Sequence, residues 1–210
     1  MLLDPDIRML GKYSDGSHCR KEDFVSINLY LVHQQDIRTG DLLSWSSNSV
    51  LGWLIKKFTK SDINHSGMAI RFSDYEDDDV SGRRFTLEAL AHGIDLHLIS
   101  RRLETHKGKV YWHPLKSMYD DKRSLLGAVS LQYVGVAYDY NSLFKNILGR
   151  VSAEASKLFC SEYVYTTFSQ CKFIPDSKDD KLLLSLAEGK TPTPSDMSKL
   201  GWWEERIRIF

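Results

Sequence analysis

The sequence predicts an α+β fold in which an antiparallel sheet packs against helices. Three observations lead there: extended segments gather between residues 42 and 115, helical spacing dominates from 122 to 171, and the two kinds do not alternate. The chain has 210 residues, 42% of them hydrophobic and 27% charged, which suits one compact unit able to bury a core.

Residues 22 to 35, EDFVSINLYLVHQQ, put Phe24, Ile27, Leu31 and Gln34 at helical spacing, with Tyr30 widening the stripe. Residues 1–37 are expected to be an N-terminal helical extension and 38–210 the main domain. Thr39-Gly40-Asp41 is a turn, after which Leu42, Leu43 and Trp45 open a short strand. A helix is expected over Asn48 to Thr59, with Val50, Trp53, Leu54 and Phe58 on one side.

Four extended segments follow, Ser66 to Phe72, Phe85 to Leu90, Gly93 to Ser100 and Lys109 to Leu115, which read as a meander. Ile94, Leu96 and Leu98 alternate with Asp95 and His97, the pattern of a sheet with one wet face. The acidic run from Asp74 to Asp79 lacks the central glycine and ligand spacing of a calcium loop and is expected to be a solvated hairpin tip. Helices are expected over Lys122 to Val134, Asn141 to Leu148 and Leu158 to Cys171, and the closing GWWEERIRIF is aromatic enough to dock on the body.

Lys plus Arg and Asp plus Glu number 28 each, so the net charge is zero and a nucleic-acid partner is disfavoured. Lys56-Lys57 and Arg101-Arg102 read as solvated surface pairs. The first residues, MLLDPDIRML, form neither a basic n-region nor an h-region, and no window holds the roughly 18 apolar residues of a spanning helix. The expected location is the cytoplasm. Three cysteines without a CxxC pair fit reduced thiols, with no disulfide framework, no zinc site and no cofactor expected.

Cys160 falls in the first turn of the helix expected from Leu158, where a partial positive charge and free N–H groups favour a thiolate and can bind an oxyanion. Cys171 lies roughly 16 Å further along that helix, too far for a disulfide, and Cys19 sits in a polar segment. A cysteine nucleophile needs a base, and His65 opens a strand among small neighbours, Ser66, Gly67 and Ala69. His92 is a weaker rival. Glu88, a carboxylate in an apolar strand, can orient the base. Setting it opposite His65 centres the connecting turn between Glu76 and Asp77, inside the acidic tip.

The ordered set Gly40-Asp41-Leu42-Leu43, Asn64-His65-Ser66-Gly67-Met68-Ala69, Glu88, Gly135-Val136-Ala137-Tyr138-Asp139-Tyr140, Phe159-Cys160-Ser161-Glu162 and Thr193-Pro194-Ser195-Asp196 resembles the permuted NlpC-type papain-like amidases, the YiiX/YaeF-like group. The resemblance covers roughly residues 38 to 200. It implies a circularly permuted papain-like fold with the nucleophile at a helix N-terminus. It also implies Cys160 as nucleophile, His65 as base, Glu88 as the orienting residue and Tyr138 as a residue lining the site and helping to hold the oxyanion. The substrate it implies is a small peptide, a peptidoglycan fragment or an acyl-amide.

Two rival readings accompany it. One is a lipid acyltransferase or thioesterase, for which the Val50 to Phe58 segment would supply peripheral membrane contact. The other is a binding module without activity, against which the complete Cys, His and Glu set argues.

Overall fold

The computed structural model describes residues 29–47, 61–72, 82–90, 93–135 and 152–210, giving the backbone alone for 152–159. The helix expected over 48–59, the acidic run, the helix expected over 141–148, Cys19, His92 and Tyr138 lie outside the described residues. Of the helix expected over 22–35, residues 29–33 are described and helical.

Six strands form one antiparallel sheet: β1 (Leu42–Ser47), β2 (His65–Ile70), β3 (Phe85–Leu90), β4 (Gly93–Leu98), β5 (Gly108–His113) and β6 (Ile207–Arg208), in the order β4-β3-β2-β1-β5-β6. β2, β3 and β4 pair in succession as expected of the meander, and β1 adds to β2 at its other side. β5, the last segment of the expected meander, departs from it, pairing with β1 over six residues rather than with β4. The cause is a short helix, α1 (Ile99–Thr105), where the alternating pattern was expected to run on to Ser100. Ile99 and Leu103, four apart, bury one side of α1 among good helix formers, Arg101, Arg102 and Glu104. The helix carries the chain across the sheet to the free edge of β1.

Alternation along the strands sends side chains to two covered faces. Leu43, Trp45, Ala69, Val110 and Trp112 share one face with Tyr30, Ile37, Leu103 and Phe210. Leu42, Met68, Ile70, Leu87, Ala89 and Ile94 share the other with Tyr163, Val164, Phe168 and Trp202. The expected wet face survives only along β4, whose residues from Asp95 to Leu98 are half-buried.

The helices after the sheet are α2 (Arg123–Leu131), led in by a 3₁₀ turn over Ser117–Lys122, then α3 (Ser152–Gln170), α4 (Asp180–Ala187) and α5 (Pro194–Met197). Asp179 caps α4 by accepting the Leu182 N–H. Thr193 and Asp196 form a reciprocal capping box on α5, so the Thr193-Pro194-Ser195-Asp196 motif is a helix start. The C-terminal aromatics dock as expected: Trp202 is fully buried and stacked on Phe168, with ring centroids 5.0 Å apart.

Gly40-Asp41 ties the sheet to the helices. The buried Asp41 carboxylate accepts from the Arg38 and Leu115 N–H groups, the Trp112 indole N–H and the Arg123 guanidinium at 2.7–3.0 Å. Gly40, at φ 90, approaches Leu126 so closely that a Cβ would lie 2.9 Å from its Cδ1, which requires glycine.

Candidate active site

β2 opens on His65, directly opposite Trp45 of β1. Its register with β3 pairs Met68 with Leu87, so one step along Gly67 faces Glu88. His65 and Glu88 are therefore diagonal neighbours, not the directly opposed pair that the sequence suggested. The shift is two residues, an even number, and it leaves both on one face. Diagonal neighbours are roughly 7–8 Å apart in the backbone, a gap that two long side chains close. The His65 Nε2–H donates to Glu88 Oε2 at 2.8 Å. Gly67 makes this possible, because a Cβ there would meet Glu88 Cγ at 2.9 Å and Thr86 Oγ1 at 2.7 Å. Without one, the Glu88 side chain leans over β2.

Glu88 is completely buried and held from a second side. Arg102 of α1 donates through Nε to Oε1 at 2.9 Å and through Nη2 to Oε2 at 2.7 Å, a two-point pair. Its guanidinium also lies 5.1 Å over the Trp45 ring. The Arg101-Arg102 surface reading is thus right only for Arg101, which is exposed and bonded to Glu104. Arg102 is the site residue that sequence reasoning missed, because only a helix starting at Ile99 turns it toward β3.

These contacts set the charges. Burial alone would raise the Glu88 carboxyl, but the Arg102 and His65 hydrogen bonds and charges outweigh it and bring its pKa down to about 2. His106, packed edge-on against Trp45, is lowered to about 4 by burial and by the Arg102 charge. It stays neutral at pH 7 and leaves Glu88 to His65 and Arg102.

Cys160 projects from α3, which packs over β2 and β3, and is 1% exposed. Its side chain is hydrogen-bonded to His65. With Nε2 engaged by Glu88, Nδ1 is the ring nitrogen left for the sulfur. Burial disfavours the His65 imidazolium, yet the Cys160 charge and hydrogen bond, reinforced by Glu88, raise its pKa to about 10. Glu88 shares the Trp45 face of the sheet, whereas Cys160 belongs to the cluster over the opposite face. His65, as the first residue of β2, stands at the end of the sheet and joins the two.

One expectation is corrected. α3 begins at Ser152, so Cys160 is its ninth residue, about two turns inside and not in the first turn. Apolar spacing starts only at Leu158, but Ala153, Glu154, Ala155 and Lys157 ahead of it are strong helix formers. The helix dipole acts within the first turn, so the polarising group beside Cys160 is His65. Cys171, just past the end of α3, is buried, and burial pushes its thiol up against a weaker opposing effect of Lys122.

No family model matches the chain, and no curated protein does. A solved structure, that of the metalloprotein YiiX from Escherichia coli O157:H7, superposes with a TM-score of 0.55 over 81% of this chain and 96% of that one, at 16% identity. The chain has the YiiX fold. The motif order read from the sequence resembles the same YiiX group, so two independent lines agree on the fold. Likeness at this identity speaks for the architecture and not for the chemistry of YiiX. Among the described residues no three His, Cys, Asp or Glu side chains gather so as to hold a metal ion. Nor is any described helix long and apolar enough to cross a membrane.

Proposed function

We propose that the chain is a papain-like cysteine hydrolase that cleaves an amide bond in a small peptide, a peptidoglycan fragment or an acyl-amide. The observation that carries this reading is His65 hydrogen-bonded on one side to Cys160 and on the other to the buried Glu88. A carboxylate, an imidazole and a thiol in series make an activated nucleophile.

In this mechanism the Cys160 sulfur attacks the substrate carbonyl carbon and an S–C bond forms. The His65 proton passes to the leaving nitrogen as the C–N bond breaks. Water then attacks the thioester, giving one proton to His65, and the acid leaves with Cys160 restored. Glu88 holds the ring with Nε2 protonated and offsets its charge, and Arg102 holds Glu88. Because Cys160 lies inside α3, the N–H groups of its own turn are used within the helix. The oxyanion donor comes from another segment, for which the family resemblance offers Tyr138.

The test is to incubate the protein with peptidoglycan fragments, acyl-amides and phospholipids and to follow products by mass spectrometry, together with acylation of the Cys160 peptide. Amide hydrolysis abolished by Cys160→Ala is expected. Hydrolysis that survives Cys160→Ala sinks the reading, and turnover of phospholipids alone would replace it with acyl transfer or lipid hydrolysis.

A further inference from the structure

β2 ends, at the side away from His65, against a cavity of about 380 Å³. Five strand steps separate Ile70 from His65, about 16 Å, so this cavity lies outside the catalytic cluster. Three arginines, Arg38, Arg71 and Arg123, contribute to its wall.

Two of the three are spoken for. Arg123 is buried and donates to Asp120, to Asp41 and to the carbonyls of Thr39 and Leu115, at 2.7–2.8 Å. Arg38 donates to the second oxygen of Asp120 at 3.1 Å. Two guanidinium groups therefore face two carboxylates, and their charges cancel.

Arg71 is left over. Its backbone is fixed at both polar atoms by the Thr39 hydroxyl, which donates to the carbonyl at 3.0 Å and accepts the N–H at 2.9 Å. Its guanidinium makes neither a hydrogen bond nor an ion pair among the described residues, and its Nε is buried. The neighbouring Arg84 has its pKa lowered first by burial and next by the Arg71 charge, against opposing effects of Tyr30 and Asp36. Beside the hydroxyl residues Thr39 and Ser124, the rest of the wall is apolar, made by Ile70, Phe72 and Leu131, with Gly127 and Ala128 leaving the space open.

We propose that this cavity is a second binding site, for a small organic anion whose oxygen headgroup pairs with Arg71 while a short apolar body lies against Ile70, Phe72 and Leu131. The site does not depend on the activity proposed for Cys160. Its chemistry, a cation without a partner among the described residues beside a largely apolar wall, fits a carboxylate or phosphate ester with an alkyl or aromatic group better than a bare inorganic ion.

Titration calorimetry on the full chain at low salt tests it, with sodium octanoate and, separately, inorganic phosphate as probes. Octanoate should bind at least tenfold more tightly than phosphate. Arg71→Gln should weaken octanoate binding at least tenfold, and so should Ala128→Trp, which fills the cavity from an exposed helix position without touching the charges. Arg101→Gln, at a surface pair, should leave it unchanged. No octanoate binding by the wild-type chain, or unchanged affinity in either cavity variant, overturns the site, and phosphate binding as tight as octanoate overturns the apolar part of it. If Arg71→Gln does not fold, Ala128→Trp decides.

Discussion

Gly67 stands opposite Glu88 across β2 and β3, and a methyl group on it would lie 2.9 Å from Glu88 Cγ. That contact, and another at 2.7 Å to Thr86 Oγ1, forces either the carboxylate or the strands to move. Gly67→Ala should fold with a loss of about 1–3 kcal/mol from overpacking. Displacing Glu88 by about 1 Å should slow the chemistry about 100-fold. The alkylation rate of Cys160 by iodoacetamide, read by peptide mapping, needs no knowledge of the substrate, and a wild-type rate in Gly67→Ala would mean that the Glu88 position is irrelevant to the thiol.

The Arg102–Glu88 pair combines a fully buried carboxylate with a partly buried guanidinium. Removing the cation by Arg102→Ala strands the carboxylate and should cost about 3–5 kcal/mol in urea unfolding. Arg102→Lys should recover part of this, since an ammonium supplies charge without the two-point geometry. Glu88→Gln should be nearly as harmful as Arg102→Ala, because its amide NH₂ would face a donor of either Arg102 or His65. A Glu88→Gln variant as stable as wild type would show that the pair is not stabilising the fold.

Stability should fall away on both sides of a plateau. The Glu88 pKa is depressed from 4.5 to about 2, so its contribution is complete above pH 4.5 and lost as pH falls through about 2. It amounts to something on the order of 3 kcal/mol. The His65 pKa is raised from 6.5 to about 10, so its contribution is complete below pH 6.5 and lost as pH rises through about 10. Unfolding midpoints measured from pH 2 to 11 should flatten between 4.5 and 6.5. The alkaline decline should shrink and move to lower pH in Cys160→Ala, which leaves only Glu88 raising His65, and an unchanged decline would contradict that coupling.

Both described cysteines are buried, so exposure does not separate them. Hydrogen bonding to His65 favours reaction at Cys160, while burial holds Cys171 as a thiol. A small reagent, methyl methanethiosulfonate, should therefore modify Cys160 at least tenfold faster than Cys171, with the preference lost in His65→Ala. The reverse order would remove Cys160 as the nucleophile.

Much of the fold was legible because strands and helices leave different periods in the sequence, and the Cys, His and Glu could be placed by motif order. What escaped depended on contacts between distant residues. The β2–β3 register sets Gly67 rather than His65 opposite Glu88, which no local pattern announces. α1 is seven residues long and follows a strand whose alternation runs straight into it, so both Arg102 and the crossing of β5 to β1 were hidden behind it. The start of α3 was missed because its first six residues, SAEASK, carry no large apolar side chain, and apolar spacing is silent there.

Cys160 rides on the helical layer over one face of the sheet, while the Glu88–Arg102 pair is anchored to the other. The hydrogen bond from His65 to the thiol is thus a gauge of how well the two layers are seated. Mild heating or low denaturant that lets α3 slide by an ångström would break that hydrogen bond and slow alkylation of Cys160, while the strands, and the circular dichroism, stay intact. The reactivity of Cys160 should fade before the secondary structure does, and a ligand that clamps α3 to the strands should restore it.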